Sequence, residues 1–241
     1  MRAWGIPSLD SIYEVRFIYL RNLESYLKLK PEKKYIKYDP KKYYTDWELS
    51  EKLDINGVDL QKALCMLQKA DPTFFEWVNS PIVYKTSEQW EKINEKINEK
   101  INDYFSTRRE FCYYFNMVKN NYKLCLKTDM VNIIDLLCLL RPILACKWLI
   151  LKDSLPPMEF EELLDIRLLQ NNELKEAIYY LIEMKQISIK AIRPIKKSTI
   201  INKYIETEFK RLKDTIKFLP DKIEKSYDEL DKLFSDVLLN Y

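Results

Sequence analysis

The chain has 241 residues, of which 47% are hydrophobic and 32% are charged, and its 40 basic and 37 acidic side chains leave a formal net charge of +3. This composition is typical of a globular protein, excludes a mostly disordered chain, and does not indicate nucleic-acid binding by charge alone. Histidine is absent, which excludes Ser-His-Asp and Cys-His nucleophilic machinery and histidine-ligated zinc. Any acid–base or metal chemistry must therefore use carboxylates, Lys, Tyr or Cys.

Glycine is unusually rare. Only Gly5 and Gly57 occur, whereas glycine makes up about 7% of an average protein. We therefore predict that each of the two lies at a position where a side chain is not tolerated.

The predicted β structure lies near the N-terminus. Glu14 to Leu20 is rich in β-branched and aromatic residues and predicts a strand. Lys28 to Lys42 combines lysines, tyrosines and two prolines and predicts a solvated loop or an irregular edge strand. Trp47 to Ile55 predicts a second short strand, and Asn56-Gly57 predicts a turn because both residues tolerate positive φ.

Helical patterns dominate the rest of the chain. Asp59 is predicted to cap a helix from Leu60 to Lys69. Ser87 is predicted to begin a helix with an apolar stripe of isoleucines, Ile93, Ile97 and Ile101. Further helices are predicted at about residues 107–128, 131–153, 159–169, 172–184, 198–218 and 221–239.

This order of elements predicts an α+β protein with a short β-containing start and a sizeable helical domain. We place the boundary after residue 85, with residues 1–85 as the α/β part and residues 86–241 as the helical domain. The length fits this division into two domains. The apolar run from Ile133 to Ile150 includes Asp135, Arg141 and Lys147 and predicts a buried helix, not a membrane span.

The cysteines indicate a reducing compartment. No two of them form a C-x-x-C pair, and the sequence shows no signal-peptide pattern. We therefore predict reduced, buried thiols and a cytoplasmic location. The cysteines are Cys65, Cys112, Cys125, Cys138 and Cys146.

The most distinctive segment runs from Arg2 to Phe17 and reads Arg-Ala-Trp-Gly-Ile-Pro-Ser-Leu-Asp-Ser-Ile-Tyr-Glu-Val-Arg-Phe. It resembles the signature of the YcgL-like family of predicted nucleotidyltransferases in the polymerase-β superfamily. That signature is typically Gly-Ser-Arg-Ala-Trp-Gly-Phe, followed after a few residues by Asp-Ser-Asp-Tyr-Asp-Val-Arg-Phe. Further segments resemble family landmarks in family order, at residues 53–60, 76–84, 140–148, 156–158 and 202–206.

The resemblance implies a small mixed-sheet nucleotidyltransferase core followed by a mostly helical domain. It also implies transfer of a nucleoside monophosphate from an NTP, with ATP as the expected donor, to a hydroxyl of an RNA end or a protein. In such enzymes two carboxylates spaced Asp-x-Asp share one face of a strand and bind Mg²⁺, the implied cofactor. A third carboxylate from a neighbouring strand completes a two-metal site.

The chain departs from this signature at several positions. Met1 stands where the family has the serine of the first Gly-Ser, so we expect a core that is truncated at its N-terminus. Ile12 stands at the first metal-binding aspartate and offers no oxygen, whereas Glu14 stands at the second and can still ligate. Asp10 corresponds to an outer aspartate of the family and could serve as a substitute metal ligand or form a turn.

Two residues are candidates for the third carboxylate. Asp54 is the first choice, because it ends a predicted strand, although an aspartate there could also simply form the turn. Glu48 is the second choice. We therefore predict Glu14 and Asp54 as catalytic residues, with Asp10 and Glu48 as further candidate metal ligands.

Basic and small residues supply candidate nucleotide contacts. Arg16 lies two residues after Glu14 and so shares its strand face. Arg141 lies in an apolar helix and needs an anionic partner, either a structural carboxylate such as Asp135 or a nucleotide phosphate. Lys147 is rotated by 240° from Arg141 on a straight helix, so the two cannot point at one ligand. The full predicted set is Arg2, Gly5, Ser11, Arg16, Lys62, Lys119, Arg141 and Lys147.

The predicted function is a nucleotidyltransferase whose activity is weak or lost, because Ile12 removes one metal anchor. The alternative is a catalytically inactive module that binds nucleotide, RNA or a protein. Two Tyr/Lys-rich segments, Tyr35 to Tyr44 and Tyr113 to Tyr122, could stack on and neutralise RNA, although this composition can also arise from codon bias. The expected partners are an NTP and an RNA or protein acceptor, with no membrane.

Overall fold

The structure, a computed structural model, describes residues 1–39, 51–125, 130–164, 169, 171–187, 194–196, 198–220 and 225–240. It is an α+β fold in which the chain forms two compact units. The sheet unit comprises Ile12–Phe105 with Ile223–Tyr241, and the helical unit comprises Met1–Ser11 with Ser106–Lys222. The predicted domain boundary after residue 85 is a different division of the chain and stays a prediction.

A mixed sheet forms the centre of the sheet unit. Its described strands are β1 (Tyr13–Tyr19), β2 (Tyr35–Tyr38) and β3 (Leu53–Asp59), in the order β1-β3-β2. β1 pairs with β3 in parallel, and β2 pairs with β3 in antiparallel orientation. The predicted strand at Glu14 to Leu20 is confirmed to within one residue. The Lys-rich stretch contributes the edge strand β2, while its residues 40–42 lie outside the described part.

The prediction of a turn at Asn56-Gly57 is wrong, because β3 continues through both residues. Gly57 lies opposite Phe17 of β1, and a Cβ atom built on Gly57 would lie 2.3 Å from carbon atoms of the Phe17 ring. Gly57 therefore serves the close approach of an aromatic ring, not a backbone with positive φ.

Helices of the sheet unit begin at the predicted caps. Asp59 accepts a hydrogen bond from the Gln61 N–H at the start of α2 (Leu60–Gln68). A short helix α1 (Leu23–Tyr26) precedes it, and α3 (Pro72–Val78), which was not predicted, follows it. α4 (Glu88–Tyr104) is capped by Ser87 and buries Ile93, Ile97 and Ile101 as predicted. The final helix α10 (Asp228–Asn240) packs against α2.

The helical unit is built around one apolar helix. α6 (Ile133–Lys152) packs against α5 (Thr107–Cys125), α8 (Asn172–Ile187) and α9 (Thr199–Thr215), and it buries twelve of its residues. A short helix α7 (Phe160–Leu163) follows α6. β4 (Met130–Asn132) and β5 (Pro194–Lys196) pair in antiparallel orientation. The prediction that α6 is a buried helix is confirmed.

Across the described ranges, no helix has the length and apolar character needed to cross a membrane. The five cysteines all lie in helices and are unbridged, in agreement with the predicted thiols. Cys125 and Cys146 are buried as predicted, but the prediction of burial is wrong for Cys65, Cys112 and Cys138, which are partly exposed. Burial raises the pKa of the Cys146 thiol well above its ordinary value, so this thiol is a packing group and not a nucleophile at neutral pH.

Candidate functional site

Two carboxylates lie side by side on β1 and β3. The parallel pairing sets Glu14 opposite Asp54 and Arg16 opposite Asn56. Residues in register on neighbouring strands project to the same face, and so do residues two apart on one strand. The four side chains therefore share one face of the sheet. Asp54 thus lies on the strand next to β1, and its predicted role as the third carboxylate stays a prediction.

Asp54 already has close polar partners. Arg16 Nη2 donates to Asp54 Oδ2 at 2.7 Å, and Asn56 Nδ2 donates to Oδ1 at 2.7 Å. Arg16 Nη1 also donates to the backbone carbonyl of Asp54 at 2.9 Å. Partial burial alone would raise the pKa of Asp54, but the Arg16 and Asn56 hydrogen bonds outweigh it and the pKa is lowered. Each oxygen of this carboxylate thus holds a hydrogen-bond donor.

The described residues on this face do not fit a two-metal site. Such a site needs at least three oxygen-bearing side chains held together, and within the described part of the chain no group of three metal-binding side chains is present. Ile12, at the family's first aspartate, is an apolar side chain that is 47% exposed. Asp54 is held by Arg16, and Glu48 lies outside the described residues. We therefore derive no chemical step through Mg²⁺.

In the helical unit the signature segment begins with a tight turn. Arg2–Trp4 form one turn of 3₁₀ helix, which Gly5 ends with φ of 74° and an N–H that donates to the Arg2 carbonyl at 3.0 Å. This is a left-handed conformation that L side chains rarely adopt. No atom lies within 4 Å of the position that a Gly5 Cβ would take, so the backbone conformation alone accounts for this glycine. Asp10, five residues later, is exposed.

The segment after Gly5 is tied to helix α8 by a buried lysine. Lys185 is 1% exposed, and its Nζ lies 2.5 Å from Ser8 Oγ and 3.1 Å from Ser11 Oγ. The Ser8 N–H donates to Ser11 Oγ at 2.9 Å, and Arg2 Nη2 donates to the Ser11 carbonyl at 2.9 Å. Burial lowers the pKa of Lys185, while the charge of Asp10 opposes this shift and that of Arg2 adds to it.

Sequence reasoning missed Lys185 and Ser8. A signal was present, because α8 buries Ile178, Leu181 and Ile182, and Lys185 continues that face at helical spacing. A lysine at a position that the pattern reserves for an apolar residue indicates a buried charge with a specific role.

Arg141 is buried at 1% exposure against aromatic and backbone groups. Its guanidinium lies 4.7 Å from the centroid of the Trp4 ring and donates to the Met158 carbonyl at 3.3 Å. The suggested partner Asp135 is wrong, because Asp135 is exposed and accepts from Asn132 Nδ2 at 3.2 Å. Six residues on a helix place the two side chains 240° apart, which explains why they do not meet.

Lys147 has a different set of partners. Its Nζ lies 3.2 Å from Glu208 Oε1 and 3.5 Å from the Tyr204 hydroxyl. Burial, reinforced by the Glu208 charge, raises the pKa of Tyr204, which remains a neutral phenol. Lys147 is therefore engaged in an internal ion pair. The expectation that Lys147 and Arg141 face different partners agrees with these contacts.

The remaining predicted basic residues are on the surface. Lys62 is exposed on α2, and Lys119 is exposed on α5 with its Nζ 5.4 Å from the centroid of the Phe115 ring. The predicted site residues thus divide between the two units. Glu14, Arg16, Asp54 and Lys62 belong to the sheet unit, and Arg2, Gly5, Asp10, Ser11, Lys119, Arg141 and Lys147 belong to the helical unit. Their functional roles stay predictions.

Comparison with known proteins shows which family the chain belongs to. The model of the RNA repair pathway DNA polymerase beta family, RlaP, matches residues 1–236. The chain belongs to this family, which supports a nucleotidyltransferase-like function at the level of the family and confirms the resemblance seen in the sequence.

A curated relative covers nearly the same range. The chain is similar to "Uncharacterized protein YcgL" of Bacillus subtilis (strain 168), with 33% identity over 240 residues, 96% of this chain and 84% of the relative. No solved structure matches the chain.

Proposed function

We propose that the protein is a nucleotidyltransferase-like protein that binds an NTP, with ATP as the first candidate, and transfers a nucleoside monophosphate to a hydroxyl of an RNA end or a protein, with activity that is weak or lost. The observation that carries the proposal is the register of β1 and β3, which sets Glu14 beside Asp54 on one face. Family membership supports the reaction class.

Weak activity follows from the neighbours of these two carboxylates. The Arg16 guanidinium competes with any other cation for Asp54, from which it lies 2.7 Å away. Ile12 supplies no oxygen at the position where the family has its first aspartate. A displacement of a reacting group by about 1 Å can cost on the order of 100-fold in rate, and Glu14 in place of an aspartate introduces a shift of that size.

The same observations favour one alternative, a catalytically inactive module that binds nucleotide, RNA or a protein. In this alternative the Arg16–Asp54 pair is a permanent part of the sheet and no transfer occurs. RNA binding has support from Tyr35 on the edge strand β2, which is 63% exposed and lies next to the exposed lysines Lys33, Lys34 and Lys37.

Pyrophosphate release separates these functions. We expect the protein to release pyrophosphate slowly from one NTP when Mg²⁺ is present. Glu14→Ala should abolish this release, because it removes the second carboxylate of a pair in which Asp54 is already hydrogen-bonded to Arg16. Glu95→Ala, which alters an exposed glutamate of α4, is the matched control. Ile12→Asp should increase the rate, and little apolar packing is lost because Ile12 is 47% exposed.

Each result has a distinct meaning. No release with any NTP, together with thermal stabilisation by one of them, supports the inactive binding module. The proposed nucleotide chemistry is contradicted if the protein shows neither pyrophosphate release nor thermal stabilisation with any NTP but does bind an RNA oligonucleotide or a protein. A rate that is unchanged in Glu14→Ala contradicts the assignment of the carboxylate pair.

A further inference from the structure

Lys185 is buried and forms no ion pair with a carboxylate of the described residues. Its side chain is 1% exposed, and the hydroxyls of Ser8 and Ser11 are its hydrogen-bond partners among the described residues. A buried ammonium is costly unless an anion or several acceptors compensate it. Two neutral hydroxyls supply acceptor lone pairs but no negative charge.

A count of donors and acceptors shows what this cluster lacks. Ser11 Oγ accepts from the Ser8 N–H and from Lys185 Nζ, so its own hydrogen is directed to Ser8 Oγ at 3.3 Å. Ser8 Oγ then accepts from Lys185 and from Ser11, and both of its lone pairs are used. The Ser8 hydroxyl hydrogen and the third Lys185 N–H have no acceptor within the described residues. The cluster therefore has surplus donors and a net positive charge.

The surroundings leave room for an acceptor. Ser8 is half-buried, so its hydroxyl can reach a ligand, while Lys185 lies directly behind it. The space beside Gly5 is open, and the Gly5 carbonyl is fixed to α8 by Gln186 Nε2 at 3.4 Å. Two further charges act on Lys185, the positive charge of Arg2 and the negative charge of Asp10. Asp10 makes no ion pair or hydrogen bond in the part of the chain that the structure describes.

We propose that Ser8 and Lys185 form a binding site for a phosphate group, in which the Ser8 hydroxyl donates to a phosphate oxygen and the buried Lys185 ammonium supplies the compensating charge. Charge-assisted donors of this kind bind phosphate well. Two sources carry the same group, the triphosphate of a nucleotide and a free inorganic polyphosphate. For the nucleotide source the proposal rests on the proposed function, since it names part of the surface that holds the NTP.

Isothermal titration calorimetry with inorganic tripolyphosphate tests the site without a nucleoside, and EDTA in the buffer removes divalent metal ions. We expect Lys185→Gln to weaken binding by at least about tenfold and Ser8→Ala by a few fold, as is usual when a charged or a neutral hydrogen bond is removed. Lys210→Gln changes an exposed lysine of the same unit and should leave the affinity unchanged. Ser8→Ala keeps the buried lysine in place, so it remains informative if Lys185→Gln fails to fold.

Asp10→Asn sharpens the test because it predicts a gain. If the site binds an anion, removal of the nearby negative charge should tighten tripolyphosphate binding; if Asp10 were a ligand for a cation, removal would not. Tripolyphosphate affinity that is equal in the wild type, Ser8→Ala and Lys185→Gln overturns the proposal.

A parallel titration with ATP distinguishes the two sources of phosphate and the two proposals. Loss of ATP affinity in Lys185→Gln assigns the site to the nucleotide, whereas unchanged ATP affinity with lost tripolyphosphate affinity assigns it to a free polyphosphate. ATP binding that is unaffected in all variants, with no tripolyphosphate binding, overturns the site but leaves the proposed function standing. An absence of binding to both probes in the wild type contradicts both.

Discussion

The sheet unit and the helical unit hold their charged residues in opposite ways. In the sheet unit, the predicted metal ligand Asp54 is ion-paired with Arg16 at 2.7 Å and accepts a hydrogen bond from Asn56. In the helical unit, Lys185 is buried and is held by two hydroxyls alone among the described residues. A carboxylate that is already paired is poorly prepared to receive a cation, whereas an ammonium without an anion is prepared to receive one. We therefore expect an anionic ligand to bind the helical unit more readily than a cation binds the sheet face.

The two glycines give a second comparison between the units. Gly57 of the sheet unit is required by the space that the Phe17 ring occupies, and Gly5 of the helical unit is required by its φ of 74°. The first constraint is steric and tertiary, and the second is conformational and local. They differ in how a substitution can be compensated.

The largest expected effect comes from Gly57→Ala. A Cβ at 2.3 Å from the Phe17 ring cannot be accommodated without movement of the ring or strand, so we expect a loss of about 1–3 kcal/mol in the free energy of unfolding. The additional change Phe17→Leu should recover part of this loss, because it removes the ring atoms that clash. Urea unfolding of the single and double variants measures both effects.

Gly5→Ala is the control for that experiment. It should cost about 1 kcal/mol because an alanine strains the left-handed conformation, and Phe17→Leu should not rescue it. Equal rescue of both glycine variants by Phe17→Leu would contradict the steric account of Gly57.

Local patterns predicted much of the fold. The strand β1, the Asp59 cap and the buried isoleucine stripe of α4 depend on residues close in sequence, and each is found where the pattern placed it. The continuation of β3 through Asn56-Gly57 was missed because it depends on pairing with β1, in which Gly57 lies opposite Phe17, 40 residues earlier in the chain. Turn propensity gave the wrong answer because a distant ring, not the local backbone, selected the glycine.

The candidate site was predictable only in part. The sequence placed Glu14 and Asp54 on separate strands, but it could not supply the register that brings them opposite each other. It also could not show that Arg16 faces Asp54, because that contact depends on the pairing of β1 with β3. Lys185 lies more than 170 residues from Ser8 and Ser11, so their contact is a property of the tertiary fold.

A smaller effect tests whether the folded protein lowers the pKa of Lys185. Because its pKa is lowered from 10.5 in the folded protein, the unfolded chain binds more protons between the lowered pKa and pH 10.5, and stability rises with pH across that window. The rise amounts to about 1.4 kcal/mol for each unit by which the pKa is lowered. Lys185→Met should lack it, as measured by urea unfolding from pH 7 to 10.5.

Lys210→Met serves as the control for this pH series, since Lys210 is exposed in the same unit. Its stability profile should run parallel to that of the wild type. Parallel profiles for Lys185→Met and the wild type would mean that the folded protein does not lower the pKa of Lys185. The contrast between a strained charge at Lys185 and a paired charge at Asp54 would then be wrong.

The smallest effect is expected in the sheet unit, where the charges are already paired. Arg16→Met should raise the pKa of Asp54 toward its ordinary value of 3.8, because the guanidinium contributes to the lowered pKa of the folded state. The stability that the pair contributes is present above that value and is lost as the pH falls through the lowered pKa, so wild type and variant should converge in strong acid. Asp54 is 38% exposed, and solvent screening limits the difference in the free energy of unfolding to within about 1 kcal/mol.

NMR titration of the side-chain carboxyl carbon reports the Asp54 pKa directly. The control is Lys92→Met, which breaks the exposed Lys92–Glu88 pair. An unchanged Asp54 pKa in Arg16→Met would show that Arg16 does not stabilise the charge of this carboxylate, and it would remove the main argument against a cation on the sheet face.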